Sequence, residues 1–219
     1  MKRSIMLVAA MATVASTLGC ASTSHQTKGA VIGATSGGAI GAVVGNATGS
    51  TATGLALGAL VGGAGGAIIG HQMDQQAKDI QQNVPGATVA RVGEGMDVTF
   101  ASEVLFAENS DVLNEQARTN LTKLAQSLQK YPNTNVLIVG HTDSTGVASH
   151  DMRLSQRRAA ATKNYLASQG VARSRIRSEG RGALEPVAPN DNEADRARNR
   201  RVEVAIFASE EFKRQAKNQ

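Results

Sequence analysis

Glycine at every fourth position is the feature that most restricts the fold of this chain. The glycines recur in two blocks, at positions 29, 33, 37, 41, 45 and 49 and then at 54, 58, 62, 66 and 70. A spacing of four places successive glycines on one ridge of a helix. Because each glycine costs a helix about 1 kcal/mol relative to alanine, such helices need the compensation of close contact with a neighbour.

This glycine-rich segment, residues 29–70, predicts a helical hairpin. It carries no Asp, Glu, Lys or Arg, and the polar stretch 46–53 separates its two blocks. We therefore predict helices at about 29–45 and 54–70 that pack through their glycines, as small residues do inside a bilayer. Each would be about 26 Å long, which is a marginal fit to a hydrocarbon core of about 30 Å. Self-association through the same ridge is equally consistent, and a low-complexity linker is the alternative.

The N-terminus predicts secretion followed by lipid attachment. A basic start (Lys2, Arg3) precedes an uncharged run that ends at Cys20, the only cysteine of the chain. This pattern predicts a signal peptide over residues 1–19, and a lone cysteine at its end favours acylation over a disulfide. Residues 20–28 would then form a lipidated tether. A cleaved leader with an unmodified cysteine and an uncleaved membrane anchor remain open, because Thr17 and Leu18 are unusual before a lipidated cysteine.

Composition argues against several classes of function. Aromatic residues make up 3% of the chain, there is no tryptophan, and the net charge is +5. The core must therefore be aliphatic, and no aromatic residues alternate with basic ones in the way that nucleic-acid binding would require. No phosphate-binding loop or other cofactor motif is present. We expect no nucleic-acid partner and no cofactor.

The rest of the chain predicts one folded domain, residues 88–208, between a polar linker at 71–87 and a charged tail at 209–219. Apolar residues at 113, 117, 121, 124, 125 and 128 predict one amphipathic helix, and residues 152–169 predict a second. Strands are predicted at 88–92, 96–101, 136–139, 175–179 and 202–206. The fold class is therefore α/β (α+β), a small mixed sheet with two main helices.

A candidate binding site lies where the predicted strand 136–139 ends in the loop 140–146. Loops at the carboxyl ends of such strands are common ligand sites. On the helix that follows, the periodicity turns Arg158 towards the sheet and Arg157 away from it. An arginine on the buried side needs a partner, and Asp143 in the loop is the nearest one. Arginine binds a carboxylate in a fork and aspartate binds an ammonium, so the pair suits a zwitterion such as the D-centre of diaminopimelate. A purely structural ion pair is the alternative.

Catalytic and metal-binding arrangements fit this region poorly. His141, Asp143 and Ser144 are too close together on one strand and loop to converge as a triad. The spacing of His141, Asp143, His150 and Asp151 matches no common set of metal ligands. We therefore expect no enzyme activity and no metal site.

Five motifs occur in an order that resembles the OmpA-like peptidoglycan-binding domain. The resemblance covers about residues 95–208, and the glycine ridge with the leader adds a similarity to glycine-zipper outer-membrane lipoproteins of that family. The motifs are LFAENSDVL (105–113), GHTDSTG (140–146), LSQRRA (154–159), GRG (180–182) and NRRVE (199–203).

The resemblance implies a protein that binds the peptidoglycan stem peptide and tethers the outer membrane to the wall. The family's binding pair falls on Asp143 and Arg158. Thr142 would supply donors, Leu154 would line the pocket, and Asp151 stands where the family often has Asn. By the same resemblance, Arg200 and Arg201 would join the last strand to its neighbours.

The resemblance also implies a location. Ala21, rather than Asp, follows the cysteine, so the lipid anchor would sit in the outer membrane with the domain facing the periplasm. The alternative is a membrane-inserted, homo-oligomeric scaffold built by the glycine hairpin, with wall binding secondary. A flagellar stator is disfavoured because the glycine-rich segment has no acidic residue.

Overall fold

The computed structural model describes residues 50–57 and 63–218. The predicted signal peptide (1–19), the tether (20–28) with Cys20, and the first hairpin helix (29–45) lie outside the described residues. The predicted second helix, 54–70, overlaps two helices of the structure on either side of residues 58–62. In the parts of the chain that the structure describes, no helix has the length and apolar character needed to cross a membrane.

The described residues contain seven α-helices, five strands and a short 3-10 helix at Arg173–Arg175. The helices are α1 (Thr51–Leu57), α2 (Gly63–Asn83), α3 (Ser102–Leu105), α4 (Glu115–Lys130), α5 (Ala148–Ser168), α6 (Glu193–Asn199) and α7 (Glu210–Lys217). The strands are β1 (Ala87–Val92), β2 (Gly95–Ala101), β3 (Thr134–His141), β4 (Ile176–Gly182) and β5 (Arg201–Ala208).

The strands form one mixed sheet in the order β1-β2-β5-β3-β4. All neighbours are antiparallel except β3 and β4, which are parallel and are joined through α5. The predicted mixed sheet is confirmed, and each predicted strand is present within a few residues of its expected bounds. The alternation in β5 explains this success, since Val202, Val204 and Ile206 are all buried in the main core.

The two faces of the sheet differ in character. The core face packs against α2, α4 and α5 and carries the aliphatic residues of alternate positions. The opposite face, called the second face below, carries Glu203 and Ala205 of β5 and is covered by α1. The main core includes Ile69, Met73, Ile80, Val98, Phe100, Leu121, Leu124, Val136, Ile138, Leu166, Val204 and Ile206.

The prediction of a polar linker at 71–87 is wrong. Helix α2 continues to Asn83, and β1 begins at Ala87. Met73, Ala77 and Ile80 recur on one side of the helix and are buried in the main core. The surrounding Gln, Asp and Lys residues occupy the solvent side, so a polar composition concealed an amphipathic helix.

The predicted charged tail, 209–219, is also part of the folded body. The Ser209 side chain accepts a hydrogen bond from the Phe212 amide and caps α7. Phe212 and Ala216 are buried in the main core, and α7 packs on α2. The charged side chains of α7 lie on its outer side, which is why composition alone suggested a tail.

Candidate functional site

Glycines bring the first half of α5 against the ends of β3 and β4. A Cβ atom on Gly140 would lie 2.3 Å from the Ser155 carbonyl oxygen, and one on Gly180 would lie 2.4 Å from the Gln156 amide nitrogen. The Ser155 hydroxyl then accepts a hydrogen bond of 2.9 Å from the Gly182 amide. These close contacts fix which side of α5 faces the sheet.

Asp143 lies just beyond the end of β3 and is held by three hydrogen bonds. Its Oδ1 accepts from the Thr145 amide at 3.0 Å and from the Thr145 hydroxyl at 2.6 Å. Its Oδ2 accepts from Arg200 Nη1 at 2.8 Å. Burial by itself would raise the pKa of Asp143, but the bonds from Thr145 and Arg200 outweigh it and lower that pKa. Asp143 is therefore an anion at neutral pH.

Arg158 is buried on the side of α5 that faces the sheet, as the helical periodicity predicted. Its Nε donates to the Ser110 carbonyl at 2.8 Å and its Nη2 to the Ala107 carbonyl at 3.4 Å. The guanidinium carbon lies 5.2 Å from the centre of the Phe106 ring. Burial lowers the pKa of Arg158, but from so high a value that the side chain remains a cation. Arg157, the neighbouring residue, is 46% exposed at its side chain.

The prediction that Asp143 is the partner of Arg158 is wrong. Asp143 pairs with Arg200, whereas the hydrogen bonds of Arg158 go to main-chain carbonyls. The loop between α3 and α4 exposes those carbonyls, and they satisfy a buried guanidinium without a carboxylate. The charge of Glu103 raises the pKa of Arg158 and the charge of Arg200 lowers it, so the Arg158 guanidinium lies within electrostatic reach of Arg200, the partner of Asp143.

Arg200 belongs to this site, although the sequence predicted no ligand-binding role for it. It contacts Asp143 at 2.8 Å, Glu103 at 2.9 Å and Glu193 at 2.6 Å. Burial acts to lower its pKa, but the three carboxylate contacts raise it above the ordinary value. Arg200 thus joins the start of β5 to α3, to the loop after β3 and to α6, whereas Arg201 pairs with Glu203 of its own strand. The NRRVE motif was the sequence signal that pointed to Arg200, but a motif does not show which carboxylates contact that arginine.

The other predicted site residues are Thr142, next to Asp143 in the chain, and Asp151 and Leu154 on the first two turns of α5. The Thr142 amide donates to the Gly182 carbonyl at 2.9 Å, and its hydroxyl is buried with no partner among the described residues. Leu154 is buried on α5. Asp151 lies in the first turn of α5, and burial together with the charge of Asp143 raises its pKa.

His141 and His150, the two histidines of this region, lie in different environments. His141 is fully buried on the second face, and its Nε2 lies 3.7 Å from a Glu203 oxygen. Burial lowers its pKa, so it is neutral at pH 7. His150 is exposed on the first turn of α5. Within residues 50–57 and 63–218, no three His, Cys, Asp or Glu side chains form a group that could hold a metal ion.

The fold and the site define a domain of the OmpA type. The OmpA family model matches residues 105–200, and the YMGG-like Gly-zipper model matches residues 1–74. The peptidoglycan-associated lipoprotein of Brucella melitensis is 38% identical over 123 residues, which are 55% of this chain and 73% of the relative. The chain therefore belongs to the OmpA family.

Two further relatives agree with this assignment. The probable lipoprotein YiaD of Escherichia coli is 37% identical over 139 residues, which cover 63% of this chain and 64% of YiaD, just under two thirds of its length. The cell wall anchor of the T6SS from Pseudomonas aeruginosa is 34% identical, with a TM-score of 0.54 over 63% of this chain and 97% of that structure. The relatives are lipoproteins and a wall anchor rather than enzymes, which agrees with the predicted non-enzymatic function.

Proposed function

We propose that this protein binds peptidoglycan non-covalently and tethers the outer membrane to the cell wall. The observation that carries the proposal is an ionised carboxylate, Asp143, in the loop after β3, and a buried guanidinium, Arg158, on the helix that follows this loop. The names of two relatives support it, since one is a peptidoglycan-associated lipoprotein and the other a cell wall anchor.

Arg158 would bind a carboxylate of the stem peptide. A guanidinium has five N–H donors, and the carbonyls of Ser110 and Ala107 engage two of them. The remaining donors suit the two-point fork that carboxylates accept. The same two carbonyls hold the guanidinium in place before the ligand arrives, which reduces the entropy lost on binding.

Asp143 would bind the ammonium group of the same amino acid. In the structure Arg200 is its cationic partner, and a ligand ammonium would share the carboxylate with Arg200 or replace it. Arg200 also contacts Glu103 and Glu193, so it keeps two ionic partners if it releases Asp143. The exchange therefore leaves no buried charge without a partner.

The ligand proposed is the diaminopimelate residue of the stem peptide, because its D-centre carries an ammonium and a carboxylate on one carbon. The unpartnered hydroxyl of Thr142 is a further hydrogen-bonding group beside Asp143. Asp151 would add a second acceptor for the ammonium, and Leu154 would contact the aliphatic chain. In this proposal each of the five predicted site residues has a part in binding the ligand.

Attachment to the outer membrane through a lipid on Cys20 completes the proposal, with the domain facing the periplasm. Cys20 lies outside the described residues, and support comes from the relatives that are named as lipoproteins. The comparisons give no support to the alternative of an oligomeric scaffold in which wall binding is secondary.

Sedimentation with purified sacculi tests the wall-binding site. We expect Asp143→Asn and Arg158→Lys each to weaken binding by about tenfold or more. Asn lacks the charge that would bind the ammonium, and Lys lacks the two-point fork that would bind the carboxylate. Arg157→Lys is the matched control, since Arg157 is exposed and contacts only Asp111 among carboxylates of the described residues. Circular dichroism would verify that each variant is folded.

Competition in the same assay tests the identity of the ligand. Free meso-diaminopimelate should displace the protein from sacculi that contain it, whereas lysine, which lacks the second carboxylate-bearing centre, should displace it less. Folded Asp143→Asn and Arg158→Lys variants that sediment like the parent would refute the site assignment. Equal displacement by both amino acids would refute the proposed ligand.

A further inference from the structure

Ionisable residues are buried on the second face of the sheet, opposite the main core. Arg201 and Glu203 of β5 pair with each other at 2.7 Å, and His141 of β3 lies beside them. Asp97 of β2 stands on the same face, because its strand partner is Ala205. All four ionisable side chains are buried. None of these four belongs to the proposed wall-binding site.

Helix α1 covers this face through one small apolar contact. Ala52 is fully buried in a cluster with Leu137, Val139 and Ala205, at whose edge Leu55 and Phe207 are partly buried. Polar contacts flank the cluster on the side of the ionisable residues.

Two hydrogen-bonding contacts hold the start of α1. The Ser50 hydroxyl donates to the Glu203 carboxylate. The Thr51 amide donates to a Glu185 oxygen at 3.0 Å, and the Thr51 hydroxyl also donates to that carboxylate. Ser50 thereby satisfies one oxygen of a buried carboxylate that would otherwise have fewer partners.

The contact is much smaller than the one made by the next helix. Among the side chains of residues 51–55, which are the ones described in α1, Ala52 is the fully buried apolar one, whereas α2 buries Ile69, Met73 and Ile80 in the main core. Because stabilisation by burial scales with apolar area, α1 is held far more weakly than α2. Weakly held segments of this kind open first.

We propose that residues 50–57 are a strap that docks reversibly on the second face of the sheet. Docking fixes the middle of the glycine-rich segment (residues 29–70) to the domain, and release exposes the ionisable residues beneath it. Release also moves the first point of attachment to the start of α2 at Gly63, and residues 50–62 span about 40 Å when they are fully extended. If the protein is the tether proposed above, the strap sets the length of that tether.

Asp97 links the docking of the strap to pH. Burial and then the charge of Glu203 raise the pKa of Asp97 to about 7, against the opposing effects of Thr99 and Arg201. The strap itself brings no charged residue to this face. A pKa raised in the docked state means that proton binding favours docking, so docking weakens as the pH rises through 7.

The other ionisable groups on this face determine the pH range in which Asp97 controls docking. Glu203 has a pKa of about 2 and stays ionised throughout. His141 has a pKa lowered by burial, so its protonation opposes docking below about pH 6.5. Between pH 8.5 and 6.5, protonation of Asp97 strengthens docking by up to about fourfold, and protonation of His141 opposes this gain.

A single tryptophan makes the strap observable. The chain contains no tryptophan, so Phe207→Trp places one fluorophore at the edge of the cluster under α1. We would measure acrylamide quenching of this residue in the purified full chain. Ala52→Asp puts a charge into the buried cluster and should raise the quenching constant at least twofold. Ala67→Asp, at an exposed position of α2, is the matched control and should leave it unchanged.

The role of Asp97 is tested in the same chain. Asp97→Asn mimics the protonated carboxyl, so at pH 8.5 its tryptophan should be better protected than that of the parent. Leu55→Asp provides a second strap variant with a changed side chain outside the fully buried core. Equal quenching in the parent, Ala52→Asp and Leu55→Asp would overturn the strap. An unchanged pH response in Asp97→Asn would overturn the proton linkage. The assay contains no peptidoglycan, so its failure is distinct from a failure of wall binding.

Discussion

Arg175 shows how an arginine can stabilise the fold through hydrogen bonds to main-chain carbonyls. Arg175 donates to the carbonyls of Thr134 at 2.6 Å, Leu128 at 2.9 Å and Tyr131 at 3.0 Å. Two of these carbonyls belong to the end of α4, where helical carbonyls lack main-chain partners. One cation thus holds the end of α4 against the start of β3, and burial lowers its pKa without removing its charge.

At the residue scale we predict that Arg175→Ala lowers the free energy of unfolding by about 2–3 kcal/mol. Three carbonyls would lose a charged donor that the helix end cannot replace. Urea denaturation followed by circular dichroism would measure the change. Arg173→Ala is the control, since Arg173 is exposed and should change stability by less than about 0.5 kcal/mol. Equal stability of the two variants would show that Arg175 does not hold the helix end.

Glycines act at the scale of the element in two opposite ways. Gly140 allows α5 to approach β3, and a Cβ there would lie 2.3 Å from a main-chain oxygen of Ser155. Gly70, inside α2, has no atom of another described element within 4 Å of the position where a Cβ would stand. Gly140 is therefore required by packing, whereas Gly70 only weakens its helix.

We predict that Gly140→Ala lowers the free energy of unfolding by about 2–4 kcal/mol and that Gly70→Ala raises it by about 0.5–1 kcal/mol. The first substitution forces α5 away from the sheet, and the second removes the entropic cost of glycine within a helix. Thermal unfolding of the two variants beside the parent gives both signs in one experiment. Destabilisation by Gly70→Ala would show that the glycine ridge of α2 has a packing partner.

At the scale of the whole molecule, the folded body extends beyond the domain that the motifs delimit. Helix α2 precedes that domain and α7 follows it, yet both contribute buried side chains to the same core. The Ser209 amide also donates to the Asn133 carbonyl at 2.9 Å, which connects the start of α7 to the turn before β3. The two ends of the domain are therefore joined by packing between α2 and α7.

We predict that Phe212→Ala lowers the free energy of unfolding of the whole domain by about 2–4 kcal/mol while unfolding remains one transition. Phe212 is buried in the core between distant parts of the chain, so its loss should be felt by the entire body. Arg214→Ala, at an exposed position of the same helix, is the control. A separate early transition in Phe212→Ala would mean that α7 unfolds independently of the sheet.

Elements whose pattern is local were predictable. The alternation of β5 and the spacing of apolar residues in α4 appear directly in the sequence, and both elements are present. Helix α6 was not predicted, because its seven residues (EADRARN) bury only Asn199 and show no apolar period. The second half of α2 was missed for a related reason, since one buried residue per turn is a weak signal among Gln, Asp and Lys.

In the candidate site, too, the local feature could be predicted from sequence and the long-range contacts could not. Sequence by itself determined that Arg158 is buried and Arg157 exposed, because helical periodicity fixes the direction of a side chain within a few turns. Tertiary structure alone decided the partners, since Asp143 meets Arg200 across 57 positions of sequence and Arg158 meets Ser110 across 48. Such contacts depend on strand register and helix packing, to which no short stretch of sequence corresponds.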